Sequence, residues 1–255
     1  MTGWLLVAAV MTVAAVYASV GHAGATGYIA VMTLFGLEPE VIRPTALVLN
    51  VVVATIGSVQ FARAGHFDRR LFLPLAAASV PATAVGGWLT LPTAAFEMVL
   101  GVVLGFAAVR IGAEALGSGR GDRGGEPEPS SRLPGESLQR SAALAGIGCA
   151  VGLLSGLTGV GGGVFLTPLL LALRAASIRT IAATSAAFIL VNSLAGLAGG
   201  LAAGRTVPLP ELELVAAAAL GGVIGSHLGA FRLPVTAIRL LMATVLAMAS
   251  AKSLL

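Results

Sequence analysis

Charge is what this sequence has least of. Asp, Glu, Lys and Arg together make 10% of its 255 residues, against about 25% in a soluble globular domain. So little polar cover excludes an ordinary soluble protein and makes lipid the main solvent of the chain. Lysine occurs once, at Lys252, and cysteine once, at Cys149 inside an apolar run. A single cysteine excludes an intramolecular disulfide and any Cys-based metal set, and leaves Cys149 as a small packing residue. Carboxylates are almost missing from the apolar runs: Glu97 lies near a run start, Glu211 and Glu213 precede another, and Asp68 and Asp122 fall in loops. Cation binding and a buried proton relay therefore have few ligands. The two Trp and two Tyr sit in or at the ends of apolar runs, not among the arginines, so the net charge of +4 and pI near 10.2 express membrane topology and not a nucleic-acid surface. No nucleophile–base pair, metal spacing or carboxylate cluster is present, so neither an enzyme nor a cofactor protein is expected.

What the sequence has in quantity is apolar residues, 57% of the total, with a mean hydropathy of +0.97. They form runs over residues 3–20, 27–37, 45–61, 71–91 and 94–111, then over 141–155, 163–173, 181–201, 214–228 and 235–255. The first run lacks a basic segment before it and is read as a retained helix, not a signal peptide. Between the two sets, residues 112–140 turn to Gly, Pro, Ser, Glu and Arg, the composition of a flexible loop. The chain thus divides into a first repeat (1–111), a cytoplasmic linker (112–140) and a second repeat (141–255). An ungapped shift of 139 residues lays Gly24 on Gly163, Thr45 on Thr184, Gly57 on Gly196, Gly65 on Gly204 and Gly86 on Gly225. The expected fold is an all-α polytopic membrane protein of two homologous repeats with 8 to 10 transmembrane segments, two of them short broken or re-entrant helices.

Those two are the runs starting at Gly27 and Gly163, each 11 residues and too short for about 30 Å of hydrocarbon. If neither crosses, the repeats are parallel and the fifteen basic residues divide ten to five across the membrane. If both cross, the repeats are inverted and the split is twelve to three, with Arg43, Arg205 and Lys252 in the minority. The positive-inside rule favours the second scheme, run length the first.

The strongest local signals are two glycine-rich breaks, Gly21-His22-Ala23-Gly24-Ala25-Thr26-Gly27 and Ser155-Gly156-Leu157-Thr158-Gly159-Val160-Gly161-Gly162-Gly163. Glycine admits positive φ and close backbone approach, so each break can start a helix inside the membrane with unpaired N–H groups. A helix start carries roughly half a positive charge, and paired half-helices of this kind hold anions. The candidate substrate site is therefore His22, Gly24, Thr26, Thr158, Gly159, Gly161, Gly162 and Gly163, joined by hydroxyls and amides of the following helices at Thr45, Asn50, Thr184, Ser185 and Asn192. The competing reading makes the glycines packing residues and the hydroxyls bonds to their own helices. Arg43 and Arg179 read equally as interface anchors.

With the breaks GHAGATG and GLTGVGGGVFLTP, each followed by a Thr-containing helix, and with the turn Gly65-His66-Phe67-Asp68, the chain resembles the TauE/SafE sulfite-exporter family of membrane permeases over nearly its whole length apart from the linker. The resemblance implies a secondary transporter of sulfite, organosulfonates or related organic anions in a bacterial plasma membrane, working by alternating access between repeats. Its partners would be a small anion and the bilayer, with homo-oligomerisation open. A passive anion channel, or a carrier of another organic anion, is the alternative.

Overall fold

The structure is a computed structural model that describes residues 2–89, 105, 108–109, 112–113 and 137–254. The apolar run over 94–111 and almost all of the linker, with Glu97 and Asp122, lie outside the described residues. Every regular element among the described residues is helical: α1 (Thr2–Ser19), α2 (Ala25–Leu34), α3 (Pro39–Arg63), α4 (Arg69–Trp88), α5 (Ser137–Thr158), α6 (Gly163–Ala172), α7 (Ile178–Ala202), α8 (Leu212–His227), a π-helical turn (Leu228–Arg232) and α9 (Val235–Leu254). Five of these are long and apolar enough to cross a membrane: α3, α4, α5, α7, and α8 with its π turn. The chain is a multi-pass helical membrane protein. The α5 helix starts at Ser137, four residues inside the segment read as linker. Cys149 lies exposed on α5 and is not a packing residue.

Helix limits follow local chemistry that recurs at a fixed spacing. Pro39 opens α3 at a position where its missing N–H costs nothing. Asp68 caps α4 through Oδ1, which accepts from the N–H of Arg70 at 2.8 Å and of Leu71 at 3.4 Å. Ser177 caps α7, its Oγ accepting from Thr180 N–H at 3.2 Å. α3 and α7 end identically, on left-handed Gly65 (φ 79°) and Gly204 (φ 76°). After each glycine the next N–H reaches back six residues inclusive, His66 to Phe61 O and Arg205 to Gly200 O, the Schellman pattern of a helix stop.

Close packing comes from glycine stripes. A β-carbon on Gly148, Gly152 or Gly156 of α5 would strike the carbonyl oxygens of Leu75, Ser79 and Thr83 of α4 in turn. On α8 and the π turn, Gly221, Gly225 and Gly229 stand in the same relation to Met11, Ala15 and Ser19 of α1. Both pairs therefore run parallel, backbone on backbone, as small residues permit in a membrane. The central pair, α3 and α7, runs antiparallel: Gly57 lies against Ala186 and Leu47 against Gly196. Around this core the large apolar side chains left exposed, among them Leu73, Leu194, Leu220 and Ile224, form the lipid-facing surface. Trp4 and Trp88, both exposed, lie near helix ends, where indoles favour the interface.

Candidate functional site

The two glycine breaks begin helices without the side-chain caps found at the starts of α4 and α7. Gly24 (φ 107°) precedes α2 and Gly162 (φ 81°) precedes α6, each in the left-handed conformation and each with no side-chain cap bond. This pairs Gly24 with Gly162, one residue off the Gly24–Gly163 match of the ungapped shift, because the second break is one residue shorter relative to the helix that follows. Conformations tighter than a side chain tolerates run through both segments, with positive φ at Gly21, Gly24, Gly159, Gly161 and Gly162.

The breaks meet at the middle of the antiparallel pair. Asn50 lies midway along α3, and its Nδ2 donates to Val160 O at 3.4 Å. A β-carbon on Gly161 would lie 2.8 Å from that nitrogen, 3.0 Å from Ile189 Cγ2 and 3.0 Å from Ser193 Oγ, so α3, α7 and the second break touch there. From the first break, His22 reaches across to the start of α6, with Nε2 3.2 Å from Gly163 O and 3.2 Å from Thr167 Oγ1. Thr167 continues to Ser185 on α7 at 2.8 Å. One imidazole thereby ties both breaks to the core of the second half. His22 is buried among these groups, and His22→Ala leaves Gly163 O and Thr167 short of a partner. The expected cost is about 1–3 kcal/mol of stability, read as a lowered melting temperature together with weaker transport, while His66→Ala in its loop leaves both unchanged.

The thirteen residues singled out from the sequence fall into distinct places. Gly161, Gly162, Gly163, His22, Asn50 and Ser185 converge as described. Thr184 and Asn192 are fully buried on α7. Asn192 Oδ1 lies 2.7 Å from Thr83 Oγ1, which is also 2.8 Å from Gly152 O, so a single hydroxyl proton serves two acceptors in turn. Thr26 is engaged by Tyr17 OH at 2.9 Å, and Thr158 donates to Leu154 O of its own helix at 2.8 Å. The first joins α1 to α2 at the site's edge, and the second stays within α5. Gly24 packs on the Tyr28 ring, Thr45 lies buried on α3 five residues before Asn50, and Gly159 stands at the mouth of a cavity beside Arg43. Sequence reasoning missed Ser155, Thr167, Ser193 and Thr83. Thr167 was findable, one helical turn after Gly163 and on its face; Thr83 on α4 carries no such mark.

A set of buried polar atoms around this point has no hydrogen-bond partner: His22 Nδ1, Tyr28 OH, Asn50 Oδ1, Ser155 Oγ, Thr184 Oγ1, Asn192 Nδ2 and Ser193 Oγ. Unsatisfied groups are costly in a protein interior. Their concentration where two uncapped helix starts meet leaves hydroxyl and amide protons without an acceptor. Arg179 is tied at Nη2 to Leu233 O at 2.9 Å, linking α7 to the start of α9, while its Nε is buried without a partner.

Residues 6–253 match the family described as Sulfite exporter TauE/SafE. The chain belongs to the TauE/SafE family. A relative from Sinorhizobium fredii (strain NBRC 101917 / NGR234), described as "Probable membrane transporter protein y4hK", is 35% identical over 249 residues, covering 98% of this chain and 97% of its own. No solved structure matches. As a member of a transporter family with several membrane-spanning helices, this TauE/SafE chain is a membrane transporter, and its two breaks each start a helix from a left-handed glycine.

Proposed function

We propose that the protein is a secondary transporter of small sulfur-containing anions, such as sulfite or organosulfonates, in a bacterial plasma membrane. The observation that carries this reading is the meeting of two uncapped helix starts with a cluster of unpartnered donors, among them Asn192 Nδ2, Ser155 Oγ and Ser193 Oγ. Donors and helix dipoles that lack an acceptor suit an oxyanion, and the absence of a buried cation among them suits a substrate that must also leave. The name of the matched family points to the same chemistry.

The helix directions support ten crossing segments in two inverted repeats. α3 against α7 is antiparallel while α4 with α5 and α8 with α1 are parallel, which fits segments containing α2 and α6 that each cross. Arg43, Arg205 and Lys252 then lie outside, and the remaining twelve basic residues, with the linker, lie in the cytoplasm.

Alternating access draws support from an asymmetry between equivalent positions. Gly21, after α1, is pressed so closely on Ala182 of α7 that a β-carbon would overlap its backbone, whereas a β-carbon on Gly159, after α5, would stand in ordinary contact with the Arg43 side chain, 3.9 Å from its nearest atom. At this position one break presses on the backbone of its facing helix, and the other meets its facing helix through the Arg43 and Asn50 side chains. Exchange of these two arrangements would open the opposite side, rocking one repeat against the other.

The test is counterflow in proteoliposomes. Vesicles preloaded with unlabelled sulfite or taurine are expected to accumulate labelled substrate transiently above equilibrium. Uptake that merely equilibrates, with no acceleration by internal anion, would replace the carrier with a channel.

A further inference from the structure

A second place outside the buried cluster has the features of a ligand site. A cavity of about 590 Å³ opens between the start of α3 and the ends of α4, α5 and α7. That is within the roughly 300–1,000 Å³ of pockets for organic ligands, and is the room of about twenty waters at ~30 Å³ each, several times what an inorganic oxyanion occupies. Two exposed guanidinium groups, Arg43 and Arg205, reach it from opposite ends of the antiparallel helices, against the single carboxylate of Glu40. Arg205 spends one N–H on Gly87 O and keeps four others. Leu47, Leu157 and Leu197 line the same space, so a charged rim stands beside an apolar wall.

We infer that this vestibule is a binding site for amphiphilic organic anions, in which Arg43 and Arg205 take a sulfonate or carboxylate head and the leucines take an alkyl body of about four carbons. The fork of a guanidinium matches both head groups, and each methylene moved from water onto the leucine wall favours binding. The positions equivalent by the 139-residue shift are Ala182 for Arg43 and His66 for Arg205. The opposite mouth therefore lacks the arginine pair, and the site exists on one side only. That this side is the external one rests on the transport reading; the site itself does not.

The experiment is calorimetric titration of the protein in lipid nanodiscs with sulfite and with n-alkanesulfonates from methane- to hexanesulfonate. The expected result is a Kd that falls about three- to fourfold per methylene up to butanesulfonate, with n-butylammonium not bound. Arg43→Gln, at an exposed position, is expected to weaken butanesulfonate binding at least tenfold without lowering the melting temperature, and the Arg43→Gln/Arg205→Gln pair to weaken it further. Leu157→Ser is expected to flatten the chain-length series while leaving methanesulfonate unchanged. Affinity independent of chain length, equal binding of butylammonium, or unaltered binding in both arginine variants would overturn the assignment. If no anion is transported but the series holds, the carrier reading fails and the vestibule site stands; transport of sulfite with a flat series has the reverse meaning.

Discussion

Gly161→Val is expected to yield a protein that inserts normally and fails to transport. Gly161 has φ 81°, where a β-branched residue is strained by about 1–3 kcal/mol. Its β-carbon would lie 2.8–3.0 Å from Asn50, Ile189 and Ser193, so Asn50 must give up its bond to Val160 O and the second break must shift away from α3 and α7. Displacing donors by about 1 Å can cost on the order of a hundredfold in function, and a loss of that size is expected in proteoliposome uptake normalised to reconstituted protein. The interface glycines elsewhere are untouched, so the protein should still elute as a monodisperse species. Gly146→Val is the control, because nothing lies within 4 Å of its β-carbon on α5 and valine there should leave uptake unchanged. Uptake by Gly161→Val above about half that of the parent would detach the breaks from the substrate path.

The largest effect on stability is expected at the parallel interfaces. In Gly152→Val the first added carbon would sit 2.5 Å from Ser79 O and 2.6 Å from Ser79 Cα. Backbone cannot rotate out of the way as a side chain can, so α4 and α5 must separate along their length. Thr83 would then lose its contact with Gly152 O. A cost of about 3 kcal/mol, at the upper end for overpacking, is expected for this variant and for Gly225→Val, which meets the backbone of Ala15 in the same way. Thermal unfolding in detergent should show a clear drop for each, and the double variant should fail to accumulate. Retention of the parent melting temperature would mean that these helix pairs are not held in backbone contact.

Those interfaces also mark what the sequence made readable. The apolar runs announced the helices because lipid leaves a chain no other way to satisfy its backbone, and the runs starting at Gly27 and Gly163 appear as α2 and α6, their starts within two residues. The two breaks stood out because Gly24 and Gly162 interrupt long apolar segments. Helix direction was not readable: run length and arginine distribution pointed opposite ways, and the α3–α7 contacts that bear on it link residues more than a hundred positions apart. The site divided along the same line. His22, Asn50 and the Gly161–Gly163 segment were visible as polar groups or glycines out of place in apolar runs. Thr26 and Thr158 looked alike in sequence to Thr184, yet one is bound to Tyr17, one to its own helix, and one has no partner. That difference is decided by rotamers and neighbours, which periodicity does not carry. Cys149 was misjudged for a related reason, since a small apolar residue in a glycine-rich helix fits the lipid face as well as an interface.

Both three-glycine stripes belong to the second half of the chain, on α5 and on α8 with its π turn, and both face helices of the first half. The second half supplies the longer glycine stripe at each of the two joints, with Gly86 of α4 returning one such contact to Leu153 of α5. A half pairing with a second copy of itself would lose the match of these glycine stripes to the backbones of Leu75, Ser79 and Thr83 and of Met11, Ala15 and Ser19. If the protein descends from a dimer of identical subunits, its halves have since specialised past the point of return, and separately expressed halves should recognise only each other.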